Sequence, residues 1–420
     1  MSPLGFSHLF VVFFIFGLAV HGYLALRQLR HVLGHRASVP AEFAERIALP
    51  AHQKAADYTA AKTRLGLVSL LWSGALLIGF TLMGGLQALS NALLPVAGTG
   101  MLYQLALLAA FTFVSGALEL PLDYYRQFVL EQRFGFNKMT PALFFIDMLK
   151  GTLLGAVIGL PLAALVLTLM AKAGALWWLY AWLAWTAFQL LIMVAYPTLI
   201  APLFNKFTPL ADAAVKARVE ALMARVGFSA KGLFVMDGSR RSAHGNAQFS
   251  GFGANKRIVF FDTLLERLAP QEIEAVLAHE LGHFKLRHIL KRIGWMFALS
   301  LGMLALLGYL KNQLWFYHGL GVDPVPGVAN DAAALILFML VLPVFTFLLA
   351  PLSSLASRRH EFEADAFAAT HSDARDLVTA LVKMYEDNAS TLTPDPLHSV
   401  FYDSHPPASI RIAHLNTAAR

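Results

Sequence analysis

The 420-residue chain is 57% hydrophobic and only 14% charged, with a mean hydropathy of +0.58, a balance that excludes an ordinary soluble domain and makes a lipid bilayer the expected solvent. Its net charge of +7 is spread over the flanks of apolar segments with no aromatic-interleaved basic stripe, so it reads as a topology signal and nucleic acid is not expected as a partner. The absence of cysteine excludes disulfide scaffolds, Cys-ligated zinc and thiol catalysis.

A helix needs roughly 20 apolar residues to cross about 30 Å of hydrocarbon. Seven segments meet that length, at about 4–26, 65–86, 101–122, 152–170, 175–196, 294–310 and 332–352. No Lys or Arg precedes Arg27, so the first segment lacks the positive region of a signal peptide and reads as a true span. Arg27, Arg30, Arg36, Arg46, Lys54, Lys62 and Arg64 follow it, which predicts a cytoplasmic first connection. The second connection, 87–100, has no Lys or Arg, and the third carries Arg126, Arg133, Lys138 and Lys150. Counting spans from an outside N-terminus then places 201–292 and the C-terminal tail in the cytoplasm, with Lys172 and Lys311 on the opposite side.

The long polar stretch lies between the fifth and sixth spans. Val215, Val219, Leu222 and Val226 share one face of a predicted amphipathic helix over 211–226, which Gly227 is placed to end. Leu233–Met236 and Ile258–Phe261 are short β-prone runs expected to form a small sheet, with 246–253 as its edge. Pro270 followed by Glu272 and Glu274 then announces a helix start.

That helix carries His279-Glu280-Leu281-Gly282-His283. Histidines four residues apart lie one turn apart and can converge on one ion, and Glu280 can reach a water bound to it. Zinc in such a site polarises the scissile carbonyl and acidifies its water, while the carboxylate takes the proton. A catalytic zinc site needs a third protein ligand and an open fourth position. Beyond the seventh span, Glu361 and Asp365 lie four apart on a predicted helix: Glu361 is the expected ligand, and Asp365 the acceptor that orients a ligating imidazole. Glu363 reads as part of an ordinary charged helix face, His244, His288 and His318 as interfacial polar residues, and Glu119 as either chamber-facing or interfacial.

Several segments together resemble the zinc-dependent CAAX prenyl proteases over nearly the whole chain. They are Glu131-Gln132-Arg133-Phe134-Gly135-Phe136-Asn137-Lys138, Pro202-Leu203-Phe204-Asn205-Lys206-Phe207, Arg241-Ser242-Ala243-His244-Gly245-Asn246-Ala247, the 279–283 motif, Glu361 to Asp365, and Ser404-His405-Pro406-Pro407 with Arg411. The resemblance implies an α-helical membrane protein whose seven helices enclose a water-filled chamber, capped on the cytoplasmic side by a zincin-like α+β domain. It implies one Zn²⁺ on His279, His283 and Glu361, with Glu280 as base. Asn246 with its neighbours Ala247 and Phe249 would bind substrate along an edge strand, and His405 with Arg411 would face the substrate or the developing oxyanion. Outside that pattern, His405 before two prolines reads as a turn residue and Arg411 as a surface or lipid-facing cation.

The expected organisation is five spans with their loops over 1–200, a catalytic domain over 201–292, two spans over 293–353 and a site-completing segment over 354–420. The expected function is a zinc endopeptidase acting on a peptide or membrane-protein segment, prenylated or not. Alanine-rich spans and the lack of cysteine lean toward a bacterial inner membrane. One alternative is a heat-shock-type membrane quality-control protease, which the five spans before the motif argue against. A second is a transporter with structural zinc, which would be closed by four ligands and has no use for Glu280.

Overall fold

The computed structural model describes residues 1–245, 247–250 and 256–418. Among these residues, seven helices are long and apolar enough to cross a membrane: Pro3–Gly34, Leu49–Phe80, Met101–Phe134, Pro141–Lys172, Gly174–Leu203, His288–Leu310 and Asp331–His371. Two of them start with the same device. Ser2 and Thr140 each cap a free backbone N–H with a side-chain oxygen, and a proline follows at the first helical position, where its missing N–H costs nothing.

Several helix boundaries differ from the expected spans: the second helix already begins at Leu49, the third runs on to Phe134 and the fourth begins at Pro141, because helix continues into polar flanks that carry no hydropathy signal. The second helix ends at Phe80, and Leu86 belongs to a separate helix, Gly85–Ala97, so much of the second connection is helical. Apolar content continues through the turn at 81–84, which is why hydropathy alone runs the two together. The seventh span does not stop near Leu352. It continues through a short 3₁₀ turn, Phe347–Leu349, into the polar helix Ala350–His371, so Glu361 is carried on an extension of a membrane helix.

The ends of the helices meet in an apolar cluster that includes Phe10, Leu86, Leu107, Trp177, Phe316 and Leu337. Gly321 lets the 319–322 loop close onto the turn after the second helix. Its φ is +74°, and a Cβ there would collide with the Thr81 carbonyl. At the other end of the helices lies a polar domain with a separate core, built from Val219, Leu222, Ile258, Phe260, Leu277 and Leu381 among others. Phe43 and Ile47 of the first connection belong to that core, and Arg27 binds Asp395 at 2.9 Å. The first connection, the 201–292 segment and the C-terminal tail therefore share one side of the helices.

Within the polar domain, β1 (Phe207–Pro209), β2 (Gly232–Met236), β3 (Ala247–Ser250) and β4 (Arg257–Phe261) form one sheet in the order β1-β2-β4-β3. The central β2–β4 pair is parallel and both outer pairs are antiparallel. The amphipathic helix is Ala213–Arg225, capped by the Asp212 carboxylate and buried along Val215, Val219 and Leu222 as its spacing predicts. Arg218 and Arg225 clamp Glu274 at 2.8 and 2.6 Å, tying this cover helix to the Pro270–Lys285 helix.

Three of the family-like segments are knitted together by polar contacts. Arg241 donates to Asp147, to the Asn205 side chain and to the Phe204 carbonyl. Lys138 and Ala243 exchange backbone bonds with Arg241 and Phe136. Asn137 accepts from Gln127 and Met139 N and donates to Gln132. These buried contacts lock the polar domain onto the third and fourth membrane helices.

The Pro270–Lys285 helix crosses the Ala350–His371 helix at Gly282. A Cβ on Gly282 would lie 3.0 Å from Ala364 Cα and 3.1 Å from Phe367 Cβ, so the two backbones are as close as the absence of a side chain permits. Gly282→Ala should push the helices apart, lowering stability by about 1–3 kcal/mol and weakening metal binding along with it. Denaturant titration and chelator competition on the purified variant measure both.

Candidate metal centre

Proline at the first position and the Glu272 carboxylate on Ala269 N–H, at 2.8 Å, fix the start of the motif helix. Lys383 pairs with the same carboxylate at 2.8 Å. From that start, His279 and His283 project from one face toward Glu361 on the crossing helix. His279 Nε2 and His283 Nε2 are 3.2 Å apart, His283 Nε2 is 3.3 Å from Glu361 Oε1, and His279 Nε2 is 3.5 Å from Glu361 Oε2.

A tetrahedral zinc with bonds of 2.0–2.1 Å separates its ligand atoms by about 3.3 Å; the two imidazole nitrogens have that spacing, and each faces one of the two Glu361 oxygens at a similar distance. Glu361 Oε2 is buried and makes no hydrogen bond among the described residues, a cost that a bound cation would remove. The charges point the same way. Burial opposes a positive His279, yet the adjoining Asp365 and Glu361 carboxylates overcome it and raise the imidazole to about 9. The pocket therefore selects for positive charge at the His279 ring, and two imidazoles with one carboxylate are the donor set of a catalytic zinc.

Behind the donors, His279 Nδ1 is 2.8 Å from Asp365 Oδ1, which would keep the Nδ1 proton in place and Nε2 free for a metal. Arg411 grips the same carboxylate with both arms of its fork, Nε to Oδ2 at 2.9 Å and Nη2 to Oδ1 at 2.5 Å. Its Nη1 lies 3.7 Å from Glu361 Oε2. Arg411 is buried, with Nε and Nη2 both donating to Asp365. It is not the surface or lipid-facing cation that its sequence context alone suggests, and Nη1 makes no hydrogen bond among the described residues.

Glu280 is partly exposed and makes no hydrogen bond or ion pair among the described residues, as a group that must reach a water and a substrate requires. His405 is 61% exposed, with Nε2 3.5 Å from Glu361 Oε1. Ala247 and Phe249 lie in β3, antiparallel to β4 and last in the sheet. Asn246 lies outside the described residues.

The lesser histidines divide. His244 stacks on Phe136 and meets Asn388 at 3.1 Å, and His318 pairs with Asp323 at 2.7 Å, so both make local structural contacts. His288, expected at an interface, is instead buried against His283, with Nδ1 3.0 Å from Nδ1, and binds Glu363 at 2.9 Å. Glu119 lies beside Ser73 at 3.4 Å, partly exposed.

Fold and donor set together define a multi-pass membrane metallopeptidase. Residues 28–206 match the profile described as CAAX prenyl protease N-terminal, five membrane helices, and residues 209–419 match peptidase family M48. CAAX prenyl protease 1 homolog of Arabidopsis thaliana is 39% identical, over 82% of this chain and 81% of that protein. CAAX prenyl protease 1 of Saccharomyces cerevisiae is 38% identical, over 78% and 76%. The crystal structure of S. mikatae Ste24p superposes with a TM-score of 0.92 at 32% identity, covering 99% of this chain and 100% of that one. The chain belongs to peptidase family M48, in its CAAX prenyl protease branch.

If Asp365 orients His279, Asp365→Asn should lower zinc affinity ten- to a hundredfold while leaving the fold intact. Chelator competition against wild type, with circular dichroism as the folding control, measures this.

Proposed function

We propose that the chain is a zinc-dependent endopeptidase whose single Zn²⁺ is held by His279, His283 and Glu361, and that its substrates include prenylated CAAX peptides. The observation that carries the reading is the convergence of His279 and His283, 3.2 Å apart at Nε2, on the two Glu361 oxygens at 3.5 and 3.3 Å, beside a Glu280 that makes no hydrogen bond or ion pair among the described residues. When bound, zinc acts as a Lewis acid toward the scissile carbonyl and lowers the pKa of its water toward about 7.

The protein groups do the rest. Glu280 takes the water's proton as it attacks and returns it to the leaving amine, so no covalent intermediate is needed. His405, at the open side of the donors, is placed to meet the oxyanion or the substrate carbonyl. An extended peptide is proposed to pair along the outer strand β3, near Phe249, with Asn246 and Ala247 assigned to the same substrate-binding segment. Arg411 acts one step back, neutralising Asp365 and Glu361 so that three acids and a metal can share one pocket.

The helices are proposed to enclose a chamber. One apolar cluster joins the helices at one end and the polar domain with its own core lies at the other, while the most apolar 18-residue window of the second, third, fifth and sixth spans is only 6% buried, as an unfilled interior would require. The shared side of the first connection, the polar domain and the tail carries the basic residues that favour a cytoplasmic position. We infer a cell membrane with the catalytic domain facing the cytoplasm, and a bacterial inner membrane as the host compartment.

Glu280→Gln should retain one zinc per chain and lose at least 10²-fold in cleavage rate, as removal of a general base does. Mass spectrometry of digests of a prenylated CAAX peptide and an unmodified membrane-protein fragment maps the products. Cleavage by wild type of the unmodified fragment alone would replace the prenyl-peptide reading with the quality-control one. Because the chain has no cysteine, Thr99→Cys and Ser229→Cys, both at exposed positions, report sidedness directly. An impermeant thiol reagent on whole cells should label Cys at 99 only.

A further inference from the structure

We infer that His288 and Glu363 are positioning residues that hold His283 from the side opposite the metal, mirroring what Asp365 does for His279. The inference rests on the metal reading above and assigns a use to two residues outside it.

If Nε2 of His283 serves the metal, its proton must sit on Nδ1. That nitrogen is 3.0 Å from His288 Nδ1, so His288 must present a lone pair there and carry its own proton on Nε2. Nε2 in turn is 2.9 Å from Glu363 Oε2, a carboxylate that only accepts. Each step of the chain has one donor and one acceptor, and no other assignment of neutral rings satisfies both contacts. It ends in a negative charge, which strengthens His283 as a ligand by the same logic as a carboxylate bonded directly to a ligating imidazole.

The backbone is shaped for this contact. The motif helix ends at Lys285, and Arg287 then adopts φ 59° and ψ 29°, a left-handed conformation uncommon for a non-glycine residue. That turn starts the sixth membrane helix at His288 and lays its ring beside His283. The His360 ring stacks on His288 at 4.1 Å and 11°, and Arg359 donates to Glu363 Oε1 at 3.3 Å. His288 is buried, while Glu363 is 37% exposed.

His288, His360 and Glu363 also lie close enough together to hold a second metal ion. The proton assignment opposes that use. An ion on His288 Nε2 would drive the proton to Nδ1, and two N–H groups would then face each other across the 3.0 Å contact with His283. The same three side chains can support the first site or form a second one, and the arrangement of donors and acceptors favours support.

The test uses full-length protein with His288→Ala, Glu363→Ala, Glu363→Gln and His360→Phe, reading zinc per chain, zinc affinity by chelator competition, and the rise in melting temperature on adding zinc. His288→Ala should raise the zinc Kd ten- to a hundredfold and shrink the zinc-induced rise. Glu363→Ala should weaken zinc about tenfold, and Glu363→Gln, which keeps an acceptor oxygen, should stay within about threefold of wild type. His360→Phe should leave one zinc per chain and an unchanged Kd. An unchanged Kd and an undiminished zinc-induced rise in His288→Ala would overturn the inference, as would a second zinc in wild type that His360→Phe removes. Failure of wild type to bind zinc at all would remove the metal reading itself.

Discussion

The close crossing of the motif helix and the helix that carries Glu361 is the contact on which the rest of the structure depends. With Gly282 set against Ala364, the two backbones approach closely enough for a glutamate to reach two histidines. Separation by one further methyl group would lengthen both histidine-to-Glu361 distances. One helix belongs to the polar domain. The other is the seventh membrane helix prolonged past the apolar region. Membrane architecture and chemistry are therefore the same problem here, because the site forms only when a spanning helix is in place.

Electrostatics makes the pocket specific. Glu361 and Asp365 are buried together with His279 and Arg411, and buried charges persist only when paired. Arg411 satisfies Asp365 with a two-armed fork, but its remaining nitrogen approaches Glu361 only to 3.7 Å. One carboxylate oxygen is left without a hydrogen bond. That oxygen, 3.5 Å from His279 Nε2, is where the proposed bound cation would supply the missing partner.

Much of this was legible in the residues. The 279–283 motif, the capping signals before it, the cover helix and the two central strands rest on local spacing, and the structure keeps their positions. Glu361 and Asp365 were legible because two acids one turn apart face the same way. β1 was not, since Phe207–Pro209 is three residues long and exists only through pairing with β2. The boundary at Phe80 was missed because the turn beyond it is flanked by apolar residues, and the prolonged seventh helix because a polar continuation carries no hydropathy signal. His288 and Glu363 are 75 positions apart, and each alone looks like surface polarity. The one available signal was a histidine five residues beyond the motif's second.

The central claim is that one zinc is shared by ligands from the polar domain and from the prolonged membrane helix. X-ray absorption at the zinc edge, on purified wild type and Glu361→Ala at equal zinc loading, tests it most directly. The account predicts two imidazole and two oxygen donors at about 2.0–2.2 Å in wild type. In the variant, zinc should be held much more weakly, with the carboxylate oxygen lost or replaced by solvent. The same zinc affinity and the same coordination in both proteins would contradict it.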